Sequence, residues 1–151
     1  MSDAPRLRIL VIGASGELGR AVVAELGARH EIISAGSKSG DVRIDIADPT
    51  SIVAGLAAAG PLDAVACAAG AVNFHPLSAI SVASIAESSY GLGLANKLMG
   101  QVNLTLAARD ALREDGSITL IAGVLSLDPI VFGSSASMVN GAIESLRARR
   151  R

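Results

Sequence analysis

The sequence has few aromatic residues and almost no net charge, and these shortages exclude one class of function. Its 151 residues include one tyrosine, two phenylalanines and no tryptophan, so it lacks the aromatic platforms on which proteins stack nucleic-acid bases. The formal net charge of −1 provides no basic footprint for a phosphate backbone. We therefore expect no nucleic-acid partner.

The sequence is equally short of cysteine and of long apolar runs. The single cysteine, Cys67, excludes an internal disulfide and a thiolate metal site, and its place in the run DAVACAAG favours a small buried hydrophobic residue over a reactive thiol. No apolar run reaches the roughly 18 residues of a membrane span, and MSDAPRLRIL lacks the pattern of a signal peptide. We expect a cytoplasmic protein with neither a membrane segment nor a metal site.

Half of the residues are hydrophobic, and they fall into short runs separated by segments with helical spacing. Strands are predicted at 7–12, 31–35, 42–46, 62–70 and 116–123. Helices are predicted at 17–30, 48–60, 78–89, 92–113 and 135–151. Parallel neighbours need crossover connections of this kind. The expected fold is one α/β domain over 1–151, a three-layer, doubly wound Rossmann-type parallel sheet with five strands in the order 3-2-1-4-5.

Three glycines spaced three apart follow the first predicted strand and open a helix: Gly13, Gly16 and Gly19. Unpaired backbone N–H groups and the positive end of the helix dipole converge at such a turn, which suits a pyrophosphate. Gly13 would permit the tight turn, Gly16 the close approach of the ligand, and Gly19 the packing of the helix on the sheet. The spacing differs from the commoner GxGxxG, and a tight turn that binds nothing is the alternative.

In their order along the chain, the motifs resemble those of the short-chain dehydrogenase/reductase family. GASGELGRAVV resembles the family's phosphate loop, DVRIDIAD the segment that borders the adenine, and DAVACAAG the strand ending in Asn-Asn-Ala-Gly. GQVNLTLAARDAL resembles the helix with the active-site asparagine, and DGSITLIAG the strand that ends in the catalytic serine. The resemblance implies a nicotinamide cofactor and oxidoreductase activity on a carbonyl or alcohol substrate.

The resemblance also implies which residues bind the dinucleotide, in four segments of the chain. They are the turn residues Gly13, Ser15, Gly16, Glu17, Leu18 and Gly19, the loop residues Ser37 and Lys38, the adenine neighbours Asp45 and Ile46, and Ala68, Ala69 and Gly70 along the cofactor.

The cofactor preference depends on the end of the second strand, where an acidic residue would bind the ribose of NAD and repel a 2′-phosphate. The sequence there reads SAGSKSGD, with no acid at that place. Ser37 and Lys38 therefore favour NADP over NAD. A solvated polar loop is the alternative interpretation of these residues.

The chain departs from the family at the residues that transfer the proton. The family uses a tyrosine and, four residues later, a lysine; Ala136 and Asn140 stand at these positions, and Gly123 stands at that of the serine. Of the family's four catalytic residues, the resemblance retains Asn103.

Other residues are candidates to replace the missing chemistry. His75 follows the fourth strand, and an imidazole exchanges protons near neutral pH, whereas Ser126 can reach the site from the loop after the fifth strand. Both residues also have a purely structural interpretation. His75 would then be a solvated loop histidine, and Ser126 would be hydrogen-bonded to nearby backbone. Lys97 lies at the start of the long predicted helix. One interpretation gives it a role at the cofactor or substrate, and the other makes it an exposed helical lysine.

Two hypotheses about function follow, beside a third in which the chain is a fragment whose glycine turn binds nothing. The first is an NADP-dependent oxidoreductase with an altered proton donor or reduced activity, and the second is an NADP-binding regulatory or dimer-partner protein without turnover. Family members continue to a sixth and a seventh strand, whereas this sequence ends after its last helix, so the fifth strand is expected at a sheet edge. We expect a homodimer or higher oligomer through helices 92–113 and 135–149.

Overall fold

A computed structural model of the protein describes residues 5–146. Five strands form one sheet: β1 (Arg8–Ile12), β2 (Glu31–Gly36), β3 (Val42–Arg43), β4 (Leu62–Cys67) and β5 (Leu112–Thr119). The order is β3-β2-β1-β4-β5, and every neighbouring pair is parallel. The predicted Rossmann-type α/β fold and its strand order are confirmed.

The helices flank this sheet: α1 (Glu17–Gly27), α2 (Pro49–Ala59), α3 (Met99–Ala111) and α4 (Ser134–Ser145). Asp48 caps α2, since its carboxylate accepts a hydrogen bond from the Thr50 amide at 2.8 Å, and Pro49 lies in the first turn, where its missing N–H breaks no hydrogen bond of the helix. α2 and α3 pack on each other and on the sheet. The core between them consists of aliphatic residues and one thiol: Leu10, Ile12, Ile33, Ala35, Ile44, Ile46, Ile52, Leu56, Ala59, Leu62, Val65, Cys67, Leu104 and Ala108.

The helix predicted at 78–89 is wrong. This part of the chain holds a single 3₁₀ turn at Leu77–Ala79 followed by irregular turns. Residues 81–87 are exposed, so the segment has no buried apolar face, and most helical stability in proteins comes from packing such a face.

Several predicted boundaries also shift, including the end of α1 at Gly27 and the end of β4 at Cys67. β3 has two residues rather than five, although Ile44 and Ile46 just beyond it are buried in the core. β5 begins at Leu112 and ends at Thr119, with a register irregularity opposite β4. The last helix ends at Ser145 with Leu146 as its C-cap, and residues 147–151 of its predicted extent lie outside the described residues.

The predicted long helix over 92–113 begins with a π-helical turn, Gly93–Leu98, that leads directly into α3. π-turns within helices are rare and often lie at functional sites. The π-helical turn lies at the amino-terminal end of α3, where the long segment after β4 joins the helix. Across residues 5–146, no helix combines the length and the apolar character needed to cross a bilayer.

Candidate functional site

The glycine turn joins β1 to α1 at the carboxyl edge of the sheet. Gly13 has a φ of +79°, and a Cβ there would lie 2.9 Å from the backbone of Ala68. The amides of Gly13 and Ala14 donate to the Ala35 carbonyl oxygen at 2.8 and 3.3 Å. The end of β2 and the residue after β4 therefore hold the turn between them.

The start of α1 lies too close to the turn for a side chain at Gly19. A Cβ there would lie 2.0 Å from the Gly13 carbonyl oxygen. The first amide-to-carbonyl bond of the helix runs from Arg20 to Gly16 at 2.9 Å, so helical geometry provides no acceptor for the amides of 17–19. These donors and the helix dipole suit a diphosphate, and the turn therefore fits a dinucleotide.

A second predicted segment lies beside the turn. Ala68, Ala69 and Gly70 follow β4, and the Ala68 amide donates to the Ile12 carbonyl at 2.8 Å. Gly70 has a φ of +154°, and a Cβ there would lie 2.6 Å from Cγ of Lys97. The two segments thus meet in the crevice between β1 and β4, where the strand order reverses and where folds of this type bind ligands.

The loop after β2 contributes a small cleft on the other side of the turn. Ser37 and Lys38 are exposed at the start of this loop. The cleft, of about 200 Å³, lies between the loop, the turn and α1. Its lining residues are Ala14, Ser15, Val23, Ser34, Ser39 and Gly40.

Asp41 is an acidic residue of this same loop. Its Oδ2 accepts hydrogen bonds from the hydroxyl and the amide of Ser34 at 2.7 and 2.8 Å. These bonds, the hydroxyl first, lower the pKa of Asp41. The carboxylate is therefore engaged with Ser34, and Lys38 supplies a cation at the loop.

Asp45 and Ile46 lie between β3 and α2. Ile46 is 5% exposed, and a Cβ on Gly100 of α3 would lie 2.7 Å from its carbonyl oxygen. Asp45 is exposed, and its Oδ1 accepts from the Ala47 amide at 2.9 Å. The Ile46 side chain thus belongs to the core, and the contact of both residues with an adenine stays a prediction.

No hydrogen bond within residues 5–146 joins the predicted catalytic residues to one another. His75 is exposed in the loop after β4, and Asn103 is half-buried within α3. Asn103 lies six residues beyond Lys97, which is about 9 Å along a helix axis. Their catalytic roles stay predictions.

Ser126 lies in a 3₁₀ turn, Val124–Ser126, after β5. Its hydroxyl is 2.6 Å from Oε1 of Glu144 and 3.1 Å from the Gly123 carbonyl oxygen. The hydrogen bond to the Gly123 carbonyl is the local backbone contact expected if Ser126 has a purely structural role. The catalytic role of Ser126 also stays a prediction.

The structure places Lys97 against α4, a contact that the sequence did not predict. Its Nζ donates to Oδ1 of Asn140 at 2.7 Å, and Asn140 is 3% exposed. Burial lowers the pKa of Lys97, and a smaller contribution from the nearby Cys67 opposes that shift. A Cβ at Gly123 would lie 2.9 Å from Nδ2 of Asn140, so a glycine there leaves room for the amide.

Two further hydrogen bonds hold the segment before α3 in place. Oδ1 of Asn96 accepts from the Ala71 amide at 2.8 Å, and the hydroxyls of Tyr90 and Ser134 lie 3.0 Å apart. These partners are 25 and 44 residues apart in the chain. No periodicity signals such contacts, which explains why sequence reasoning missed them.

A larger cavity, of about 570 Å³, lies away from this site. It is bounded by Val53 and Leu56 of α2, Ala107 of α3, Pro61 before β4, and Leu112 at the start of β5. These positions mark the amino-terminal ends of the strands, opposite the glycine turn. The cavity is therefore not part of the candidate site.

No protein-family model and no curated protein matches the sequence, whereas several solved structures do. The protein lin1944 from Listeria innocua is 42% identical, with a TM-score of 0.85 over 91% of this chain and 66% of its own. A small-chain dehydrogenase in complex with NADPH is 21% identical, with a TM-score of 0.80 over 93% of this chain and 62% of its own.

A short-chain dehydrogenase from Burkholderia cenocepacia in complex with NADP is 19% identical, with a TM-score of 0.78 over 91% of this chain and 61% of its own. The present chain therefore spans between 61% and 66% of the lengths of these three chains.

Proposed function

We propose that this chain is an NADP(H)-binding oxidoreductase of the short-chain dehydrogenase/reductase family that acts on a carbonyl or alcohol substrate, since its sheet has the strand order expected from its motifs and its fold matches those of solved short-chain dehydrogenases. The glycine turn carries the proposal, because a Cβ at Gly19 would lie 2.0 Å from the Gly13 carbonyl oxygen. A turn this tight presents the amides of 17–19 to a ligand. When bound, the nicotinamide ring supplies or accepts the hydride.

The preference for NADP is proposed from the loop after β2. Lys38 and the hydroxyl of Ser37 follow the strand end, where a cation would favour a 2′-phosphate. The carboxylate of Asp41 is engaged with Ser34. Two proteins of the same fold were crystallised with NADPH and NADP, which supports this choice.

The proton-transfer half of the site differs from the family pattern. Ala136, Asn140 and Gly123 stand at the family's tyrosine, lysine and serine positions. A reaction would therefore draw its proton from another group, for which His75 and Ser126 are the predicted candidates. Both lie on loops that follow the carboxyl ends of β4 and β5.

The proposal includes self-association through α3 and α4. Met99 and Leu106, seven residues apart on α3, are 45% and 50% exposed, and Met138 of α4 is 43% exposed. Residues seven apart share one helix face. A second copy would cover these exposed apolar side chains.

Paired substitutions at Gly16 test the binding proposal. Gly16 is the N-cap of α1, with φ −72° and ψ 170°, a conformation open to any residue, and it has no side-chain cap. Gly16→Asp and Gly16→Asn both introduce favourable caps of nearly equal size, so both variants should fold. Only the aspartate places a negative charge beside the diphosphate.

We expect NADPH fluorescence titrations to give a Kd at least about tenfold weaker for Gly16→Asp than for Gly16→Asn, a difference of about 1.4 kcal/mol. Equal affinities of the two variants, or a wild-type chain that binds no NADPH, would contradict the proposal. Carbonyl-dependent oxidation of NADPH tests turnover. Binding without turnover across a broad carbonyl panel would count against the oxidoreductase and favour the regulatory hypothesis.

A further inference from the structure

Lys97 is a half-buried cation held at the edge of the sheet beside Gly70. Its Nζ donates to the neutral amide oxygen of Asn140 at 2.7 Å, and its stem fills the space that a side chain at residue 70 would need. None of the ion pairs within residues 5–146 includes Lys97. An ammonium has three N–H donors, so donors remain for another acceptor.

The folded chain gains little from this arrangement by itself. Taking a cation partly out of water is unfavourable unless other groups compensate, and a well-packed apolar pair in place of Lys97 and Asn140 would avoid that cost. Burial lowers the pKa of Lys97, which is the signature of incomplete compensation. Oxygen atoms of a ligand in the crevice would supply the missing acceptors.

The topology places Lys97 and Lys38 on opposite sides of the glycine turn. Lys38 follows β2, and Lys97 lies against Gly70 after β4, while the turn follows β1 between these strands. A dinucleotide with its diphosphate on the turn extends one nucleoside toward each lysine. With the adenine half on the side of Lys38, the nicotinamide half lies on the side of Lys97.

We propose that Lys97 donates hydrogen bonds to the ribose hydroxyls of the nicotinamide half of NADP(H), with Asn140 as its positioning residue. This inference rests on the proposed function. The family pattern places a lysine on the last helix, at the position that Asn140 occupies here. In this chain the cation reaches the site from the opposite wall, the π-helical turn before α3.

The chain contains only two lysines, Lys38 and Lys97, so trace acetylation followed by peptide mass spectrometry reports on each separately. NADPH at about ten times its Kd should slow the labelling of both lysines about tenfold, since about one tenth of the protein stays free. Adenosine 2′,5′-bisphosphate, which carries the adenine half and the 2′-phosphate alone, should protect Lys38 and leave Lys97 unchanged. The full chain is used throughout.

The outcomes separate this inference from the function on which it rests. Protection of Lys38 but not of Lys97 by NADPH would overturn the role of Lys97 and leave cofactor binding intact. Protection of Lys97 by the bisphosphate would also overturn it, because it would place Lys97 on the adenine half. Labelling of both lysines unaffected by NADPH, with no binding in titrations, would overturn the function itself.

Lys97→Met provides a second readout, because methionine keeps an unbranched stem against Gly70 and removes the charge. We expect NADPH affinity to fall about tenfold, with the affinity for adenosine 2′,5′-bisphosphate unchanged. Lys38→Met is the matched control and should weaken both ligands. Equal NADPH affinity in Lys97→Met and wild type would contradict the proposal, and the labelling of the wild-type chain decides it where a variant fails to fold.

Discussion

Cys67 ends β4 directly below the crevice and is 4% exposed. Burial raises the pKa of its thiol from 9.0 to about 11, while a backbone hydrogen bond at Ala69 and the charge of Lys97 lower the pKa to a smaller extent. The thiol therefore stays protonated at neutral pH and packs as a small hydrophobic group. The apolar run DAVACAAG predicted this burial correctly.

Alkylation of Cys67 by iodoacetamide should be at least about 100-fold slower in the native chain than in the chain unfolded in urea at pH 8, because the thiolate is the nucleophile. The native rate should keep rising with pH toward about 11, whereas the unfolded rate levels off above 9.0. Ellman's reagent provides an independent probe. Equal native and unfolded rates would show that Cys67 is exposed and ionised.

Single residues divide into those whose roles the sequence predicted and those whose roles depend on distant contacts. The tight turn at Gly13 was predicted from the glycine spacing, and the geometry confirms it, whereas a Cβ at Gly19 would meet the turn at Gly13 and Ala14 rather than the sheet. The contact between Lys97 and Asn140 joins positions 43 residues apart, and nothing local in either segment indicates it. Sequence reasoning therefore predicted the tight turn after β1 and missed the contact between Lys97 and Asn140.

Gln101 connects α3 to the segment that follows β5. It is 0% exposed, its Nε2 donates to the Ile121 carbonyl, and its Oε1 accepts from the Ile121 amide, both at 2.9 Å. The side chain thus pairs with the backbone as a neighbouring strand would. This bridge fixes the backbone two residues before Gly123, and therefore positions the loop that carries Ser126.

Gln101→Met keeps the length of the side chain and removes both hydrogen bonds. We expect a loss of about 3 kcal/mol in the free energy of unfolding, since the amide and the carbonyl of Ile121 would lose their partner. Asn103→Leu, two residues along the same helix, is the control and should cost less than about 1 kcal/mol. Urea unfolding measures both, and equal stability of Gln101→Met and wild type would contradict the role of the bridge.

The elements with a buried face were predicted well, and the others were not. The strand order follows from hydrophobic runs separated by helices, as in β1, α1 and β2. Residues 78–89 show helical spacing of apolar residues, but the segment packs on nothing that would select a helix, and Val82 and Ile85 are 106% and 68% exposed. The spacing of apolar residues does not indicate the π-helical turn, because that turn is defined by backbone hydrogen bonds between residues five apart.

Self-association through the exposed apolar side chains of α3 and α4 is a property of the whole molecule. We expect the wild-type chain to sediment as a dimer, with twice its chain mass of 15.2 kDa. Leu106→Glu should sediment as a monomer, because an unpaired carboxylate buried in the interface opposes association. Val82→Glu, on an exposed loop, makes the same charge change and should stay dimeric. Sedimentation velocity distinguishes these outcomes, and a monomeric wild-type chain would refute the proposed interface.

Capture of a diphosphate by the main chain is the central claim about the molecule, and a crystal structure of the full chain grown with NADP⁺ tests it most directly. The account predicts diphosphate oxygens within hydrogen-bonding distance of the amides of 17–19, one ribose toward Lys38 and the other toward Lys97. A nucleotide whose diphosphate lies elsewhere, with side chains filling the crevice between β1 and β4, would contradict it.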